Sequence, residues 1–98
     1  MAINQKLTDV IEDRMVKSCR EGPSEVEICF HDGSTMKAKV MEANSPPLRE
    51  GSRIRRVHED GTEFMIDCED GTTLSLQLIE PGSSISVRDK YGAVEYLG

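Results

Sequence analysis

Both histidines of the chain stand beside acidic residues, in His31-Asp32-Gly33 and His58-Glu59-Asp60-Gly61. Two imidazoles with a carboxylate such as Asp60 make a donor set for a catalytic zinc, which needs about three protein ligands and one open position. No H-x-x-x-H spacing fixes these ligands on one element, so His31, His58 and Asp60 are weak metal candidates and no cofactor is implied. Ordinary turn polarity accounts for the same residues without a metal. Cys19, Cys29 and Cys68 are odd in number and share no C-x-x-C spacing, which argues against a disulfide framework or a zinc knuckle and for reduced thiols.

A second chemical feature is charge. Glu59, Asp60, Glu63, Asp67, Glu69 and Asp70 lie within twelve residues that contain no Lys or Arg, a run on which a basic partner could dock. Arg49, Arg53, Arg55 and Arg56 form a smaller basic cluster just before it. Between strands lies Pro46-Pro47-Leu48-Arg49, in the one stretch that cannot form a tight hairpin. Irregular loops on a rigid β scaffold often carry binding residues. The expected partner surface is therefore Pro46, Pro47, Leu48 and Arg49 together with Glu59, Asp60 and Glu63. Nucleophile motifs, Gly-rich phosphate loops, Walker sequences and EF-hand loops are lacking, so the chain reads as a binding module rather than an enzyme.

Positioning these residues requires a fold, and the chain has 98 residues, enough for a single domain spanning 1–98. A formal charge of −6 sets the long-range field against phosphate backbones and anionic lipid. With two Phe, two Tyr and no Trp, there are few rings for stacking exposed bases, so no nucleic acid is expected as partner. No apolar run approaches the ~18 residues of a membrane span, and no basic-then-apolar leader pattern opens the sequence, which reads as cytoplasmic with no membrane contact.

Ile3, Leu7, Val10, Ile11, Met15 and Cys19 form one helical stripe, acidic residues precede basic ones along it, and Gly22-Pro23 offers a stop. The spacing predicts a helix over 3–20. Thereafter glycines recur mostly every 10 or 11 residues, the beat of an all-β meander over 24–97. The expected fold is thus mainly β (α+β): an N-terminal helix followed by a seven-strand antiparallel meander. Seven strands span about 34 Å when flat, more than one helix covers, so the sheet should curl into a barrel or half-barrel, or be covered by a second subunit.

Three-residue loops at His31-Asp32-Gly33, Glu59-Asp60-Gly61 and Glu69-Asp70-Gly71 fix a testable register. Ile28 then faces Met36, Val26 faces Ala38, Ile54 faces Ile66, Ile66 faces Leu74 and Phe64 faces Leu76. Glu27 meets Lys37, Glu25 meets Lys39 and Arg53 meets Asp67, while a two-residue turn sets Arg88 opposite Glu95. The same register turns Arg56 inward beside Phe64, where it would snorkel out or bind an anion in the barrel. It also gathers the turns carrying His31 and His58 at one end.

The segments Val26-Glu27-Ile28-Cys29-Phe30-His31-Asp32-Gly33 and Val87-Arg88-Asp89-Lys90-Tyr91-Gly92-Ala93-Val94, the first following a helix, resemble the two motifs of Sm-like RNA-binding proteins over about a quarter of the chain. The second-strand Gly of that family is Ala38 here, its late Arg-Gly is Arg88-Asp89, and two extra hairpins intervene. The composite expectation is a small protein-binding β module. The last strand, with Val94, Tyr96 and Leu97 and only Glu95 as charge, is an exposed edge that invites a homodimer. A ligand-binding barrel using Arg56, and then a metal-dependent enzyme at the histidines, are the alternatives.

Overall fold

A computed structural model describes residues 2–98. Its elements are β1 (Ala2–Ile3), α1 (Gln5–Ile11), β2 (Val16–Glu21), β3 (Glu25–Phe30), β4 (Thr35–Ala43), β5 (Ile54–Asp60), β6 (Glu63–Cys68), β7 (Thr73–Leu78), β8 (Ile85–Arg88) and β9 (Val94–Leu97). All ladders are antiparallel, in the order β1-β5-β6-β7-β4-β3-β2, with β8 laid on β4 and β9 on β8. The sheet curls into a half-barrel around one core.

The helix is shorter than its stripe predicts. Asn4 caps it by accepting from Leu7 N at 3.0 Å, and it ends at Ile11. Asp13 then takes a left-handed φ of 68°, which no helix interior tolerates. What replaces the second half is a strand, because Met15 pairs with Arg53 across the half-barrel and β2 pairs with β3. Val16, off the helical stripe, is fully buried. Gly22 donates to Glu25 O at 2.8 Å, so it belongs to a hairpin and not to a helix stop.

The simple meander also needs correction. β4 is long and bulged near Met41; one of its edges takes β3, and the other takes β8 along its first half and β7 along its second. β8 therefore leaves β7 and returns to β4. The two long edges are tied at one end, where Ile54 N donates to Arg14 O at 3.0 Å and Val16 N to Ser52 O at 2.8 Å.

Two of the three Asp-Gly loops have the expected length. Phe30 N to Ser34 O and Cys68 N to Thr72 O, both 2.9 Å, enclose three residues each, with Gly33 and Gly71 at positive φ. Val26–Ala38, Ile28–Met36, Glu27–Lys37, Glu25–Lys39, Ile66–Leu74 and Phe64–Leu76 face each other as expected. The middle loop is a two-residue one, because Asp60 pairs with Glu63. Ile66 consequently faces Val57, and Ile54 faces Cys68. A bulge between Ile54 and Arg56 keeps Ile54 and Val57 both inside and puts Arg55 and Arg56 outside, so Arg56 lies half-buried on the outer face and not beside Phe64 in the core. Arg53 lies 3.5 Å from Glu69 instead of Asp67. A bulge in the last hairpin sets Arg88 opposite Val94, leaving Glu95 to another partner.

Phe30, Phe64, Ile28, Met36, Leu74 and Leu76 fill the inner face, and Leu7 and Ile11 of α1 plug one end. Asn4 N donates to Val57 O at 2.9 Å while Val57 N donates to Thr8 Oγ1 at 3.0 Å, so two hydrogen bonds pin the helix to β5.

Candidate functional site

His58 projects from the outer face of β5, half-buried, and its Nε2 lies 2.8 Å from Asp67 Oδ2 on β6. Thr73 Oγ1 of β7 donates to the other oxygen of Asp67 at 3.2 Å. The hydroxyl is thus bonded to the carboxylate and not to the imidazole, which is the wrong order for a base-activated nucleophile and the right one for a cross-strand tether. His31 is exposed at its hairpin tip, held through its backbone N to Met15 O at 2.9 Å, and Asp60 is exposed at another tip. The histidines are not brought together: among the described residues no three His, Cys, Asp or Glu side chains converge on a metal-sized space.

The 44–53 loop is a strap with both ends fastened. Asn44 N donates to Ser75 O at 2.8 Å, and Gly51 N to Val16 O at the same distance. Pro46, Pro47 and Arg49 are exposed, but Leu48 is only 5% exposed and belongs to the core, so it offers nothing to a partner. Burial pushes the nearby Cys19 thiol up, partly offset by its hydrogen bond to the Leu48 backbone. In the acidic hairpin Asp60 and Glu63 are exposed, whereas Glu59 accepts from Asn4 Nδ2 at 2.7 Å. Asp70 is held below its usual range by the Thr72 hydroxyl and N–H and by the Ser52 hydroxyl, the role of a turn-former.

Two features escape sequence reasoning. The first is Arg14, whose side chain is only 18% exposed. It donates to both Glu95 oxygens at 2.8 and 3.0 Å and to Ser34 Oγ at 2.9 Å, and lies 3.6 Å from Asp32. The Glu95 hydrogen bond raises the Arg14 pKa, with burial opposing it. Burial works against the Asp32 carboxylate, yet the Ser34 hydroxyl and N–H, together with Arg14, hold it below its usual value. Arg14 and Glu95 are 81 residues apart, so no local spacing signals the pair.

The second is the surface around β9. Gly98 exchanges both backbone bonds with Ile85, at 2.7 and 2.9 Å. Alternation along an antiparallel pair then turns the N–H and C=O of Leu97 to the open side. Val94 is 47% and Leu97 67% exposed, and Tyr96 is half-buried with its hydroxyl accepting from Asn4 Nδ2 at 3.1 Å. A groove of about 330 Å³ separates this strand from Lys6 and Val10 of α1.

No helix among the described residues is long and apolar enough to cross a membrane. The Sm-like segments sit on β3 and β8–β9, but β2 intervenes between the helix and the first of them. No family model matches the chain, and no curated protein or solved structure matches it.

Proposed function

We propose that this domain is a non-enzymatic binding module that acts through protein–protein contacts, and that a second copy of the chain is its first partner, paired through β9. The observation that carries this reading is the edge itself: Leu97 presents its backbone N–H and C=O to the open side, and Val94 and Leu97 add exposed apolar surface there. The one charge on the strand, Glu95, is occupied by Arg14 and does little to repel a neighbouring strand. Two such edges related by a two-fold axis would continue the sheet across the dimer and cover the groove beside Val10.

A filled core supports partner binding over ligand binding, because the interior space that Arg56 was expected to serve is occupied by Phe64 and its neighbours. Further protein contacts would fall on Pro46, Pro47 and Arg49 and on the exposed acids Asp60 and Glu63, which suit a basic partner. The free thiols Cys19, Cys29 and Cys68 suit a reducing, cytoplasmic compartment.

Sedimentation of the full chain across micromolar concentrations tests the pairing. A dimer is expected, and Leu97→Lys should convert it to monomer with unchanged circular dichroism, while Lys17→Glu on the exposed face of β2 should not. A chain that stays monomeric at high micromolar concentration overturns the reading.

A further inference from the structure

Two hairpin turns of this chain are built from the same four residues, Glu59-Asp60-Gly61-Thr62 and Glu69-Asp70-Gly71-Thr72, and His31-Asp32-Gly33-Ser34 is a close third. At an Asp-Gly step the main chain can react with itself, because Gly has no side chain to keep its amide nitrogen away from the neighbouring carboxyl carbon. Local sequence does not distinguish the first two steps. Any difference between them comes from the fold.

At Asp70 and Asp32 both reacting groups are held. Asp70 Oδ1 accepts from Thr72 N at 2.9 Å and from Thr72 Oγ1 at 2.6 Å, while its Oδ2 accepts from Ser52 Oγ at 2.9 Å. Asp32 Oδ1 accepts from Ser34 N at 2.8 Å and from the Ser34 hydroxyl, and Arg14 lies 3.6 Å from its other oxygen. The attacking amides are occupied as well, since Gly71 N donates to Cys68 O at 3.1 Å and Gly33 N to Phe30 O at 3.0 Å.

Asp60 differs in each respect. Its turn is one residue shorter, and the Thr62 hydroxyl accepts from Gln77 Nε2 instead of closing on the carboxylate. Among the described residues the Asp60 carboxylate has no hydrogen-bond or ion-pair partner, and the Gly61 N–H has no backbone acceptor. Asp60 is exposed at the last pair of its ladder, and the space around Gly61 is open. We infer that Asp60–Gly61 is a site of spontaneous covalent modification, at which aspartate becomes isoaspartate through a cyclic succinimide.

The lone pair of Gly61 N attacks Asp60 Cγ and forms a C–N bond. The carboxyl C–O bond breaks, and its hydroxyl leaves with the amide proton as one water. One water then adds back to the ring. Addition at Cγ restores aspartate, whereas addition at the main-chain carbonyl of Asp60 leaves the backbone running through the side chain. Nothing is oxidised or reduced, and mass and charge are kept. Ring closure draws on the protonated carboxyl, and the Thr72 hydroxyl and N–H with the Ser52 hydroxyl hold Asp70 below the usual carboxylate range, which disfavours that form there. The product lengthens the main chain by one carbon in the turn that sets Asp60 opposite Glu63.

The test is prolonged incubation of the full chain in mildly acidic buffer, followed by peptide mapping with electron-transfer fragmentation, which separates isoaspartate from aspartate at each position. Isoaspartate should form at 60 at least about tenfold faster than at 70 or 32, the effect of one charge-assisted hydrogen bond that must break before ring closure. Thr72→Val should raise the rate at 70, and Asp60→Glu should abolish the product at 60 while keeping the charge. In urea, where the fold no longer holds either carboxylate, positions 60 and 70 should react alike. Equal rates in the folded chain, a difference that persists in urea, or no product at 60 by the time the unfolded chain has formed it, each overturn the assignment.

Discussion

The end of the half-barrel where β2 meets β5 and the edge formed by β9 are built from similar short strands and meet opposite fates. At the first, Arg14, Val16, Ser52 and Ile54 satisfy one another's backbone groups, and α1 drives Leu7 and Ile11 into the opening beneath hydrogen bonds to Val57. At the second, Leu97 keeps its backbone groups for the open side and most of its side chain in solvent. The contrast separates the part of the chain that buries its apolar and backbone groups from the part that the proposed pairing would use. Apolar residues at both ends look alike in composition, and only their burial tells them apart.

Truncating one residue at each end sharpens that division and gives the largest effect. Leu7→Ala removes a fully buried side chain and should cost about 2–5 kcal/mol in urea unfolding. Leu97→Ala should change unfolding under monomeric conditions by no more than about 0.5 kcal/mol, as an exposed substitution does. Comparable losses from the two would erase the distinction.

The link between the two regions is Arg14, which sits at the closed end and grips Glu95 on the open strand. Arg14→Gln should cost about 1–3 kcal/mol, since it strips a mostly buried cation from two carboxylates and a hydroxyl. Hydrogen exchange should locate the change, with the amides of Tyr96 and Gly98 losing protection and those of β6 keeping theirs. The pH dependence has a definite sign. The Asp32 carboxyl is held below its ordinary value, so its stabilisation is present above that value and is lost as pH falls through the depressed one. The gap between wild type and Arg14→Gln should therefore narrow in acid.

How much of this was legible in the sequence follows from how local each cause is. The hairpins at Asp32-Gly33 and Asp70-Gly71 were legible because loop and alternating strands lie within a dozen residues and agree. Asp60-Gly61 looks the same, but the bulge at Arg55–Arg56 and the shorter loop shift its register, and neither leaves a mark on the alternation of β6. The stripe through Met15 and Cys19 fits a helix, yet pairing of β2 with β3, together with the Met15–Arg53 bridge across the fold, makes that stretch a strand. Of the candidate site, the exposed Pro46, Pro47, Asp60 and Glu63 could be read from composition. The burial of Leu48 could not, nor could the grip of Arg14 on Glu95, because both depend on segments far apart in the chain.

Glu21, the last residue of β2, offers the smallest and most discriminating effect. Its Oε2 is buried without a hydrogen-bond partner, and burial raises its pKa. A raised carboxyl pKa means that the folded state holds the proton more tightly than the unfolded chain does. The group thus favours folding at acid pH and opposes it once ionised, the reverse of Asp32. Glu21→Gln keeps the shape and removes the charge, so it should raise the unfolding midpoint slightly at neutral pH, by less than either substitution above changes it. That gain should shrink to nothing as pH falls below the ordinary carboxyl range, where the native Glu21 is itself protonated. A gain that is independent of pH would show that packing, and not the unpartnered charge, sets the cost at this position.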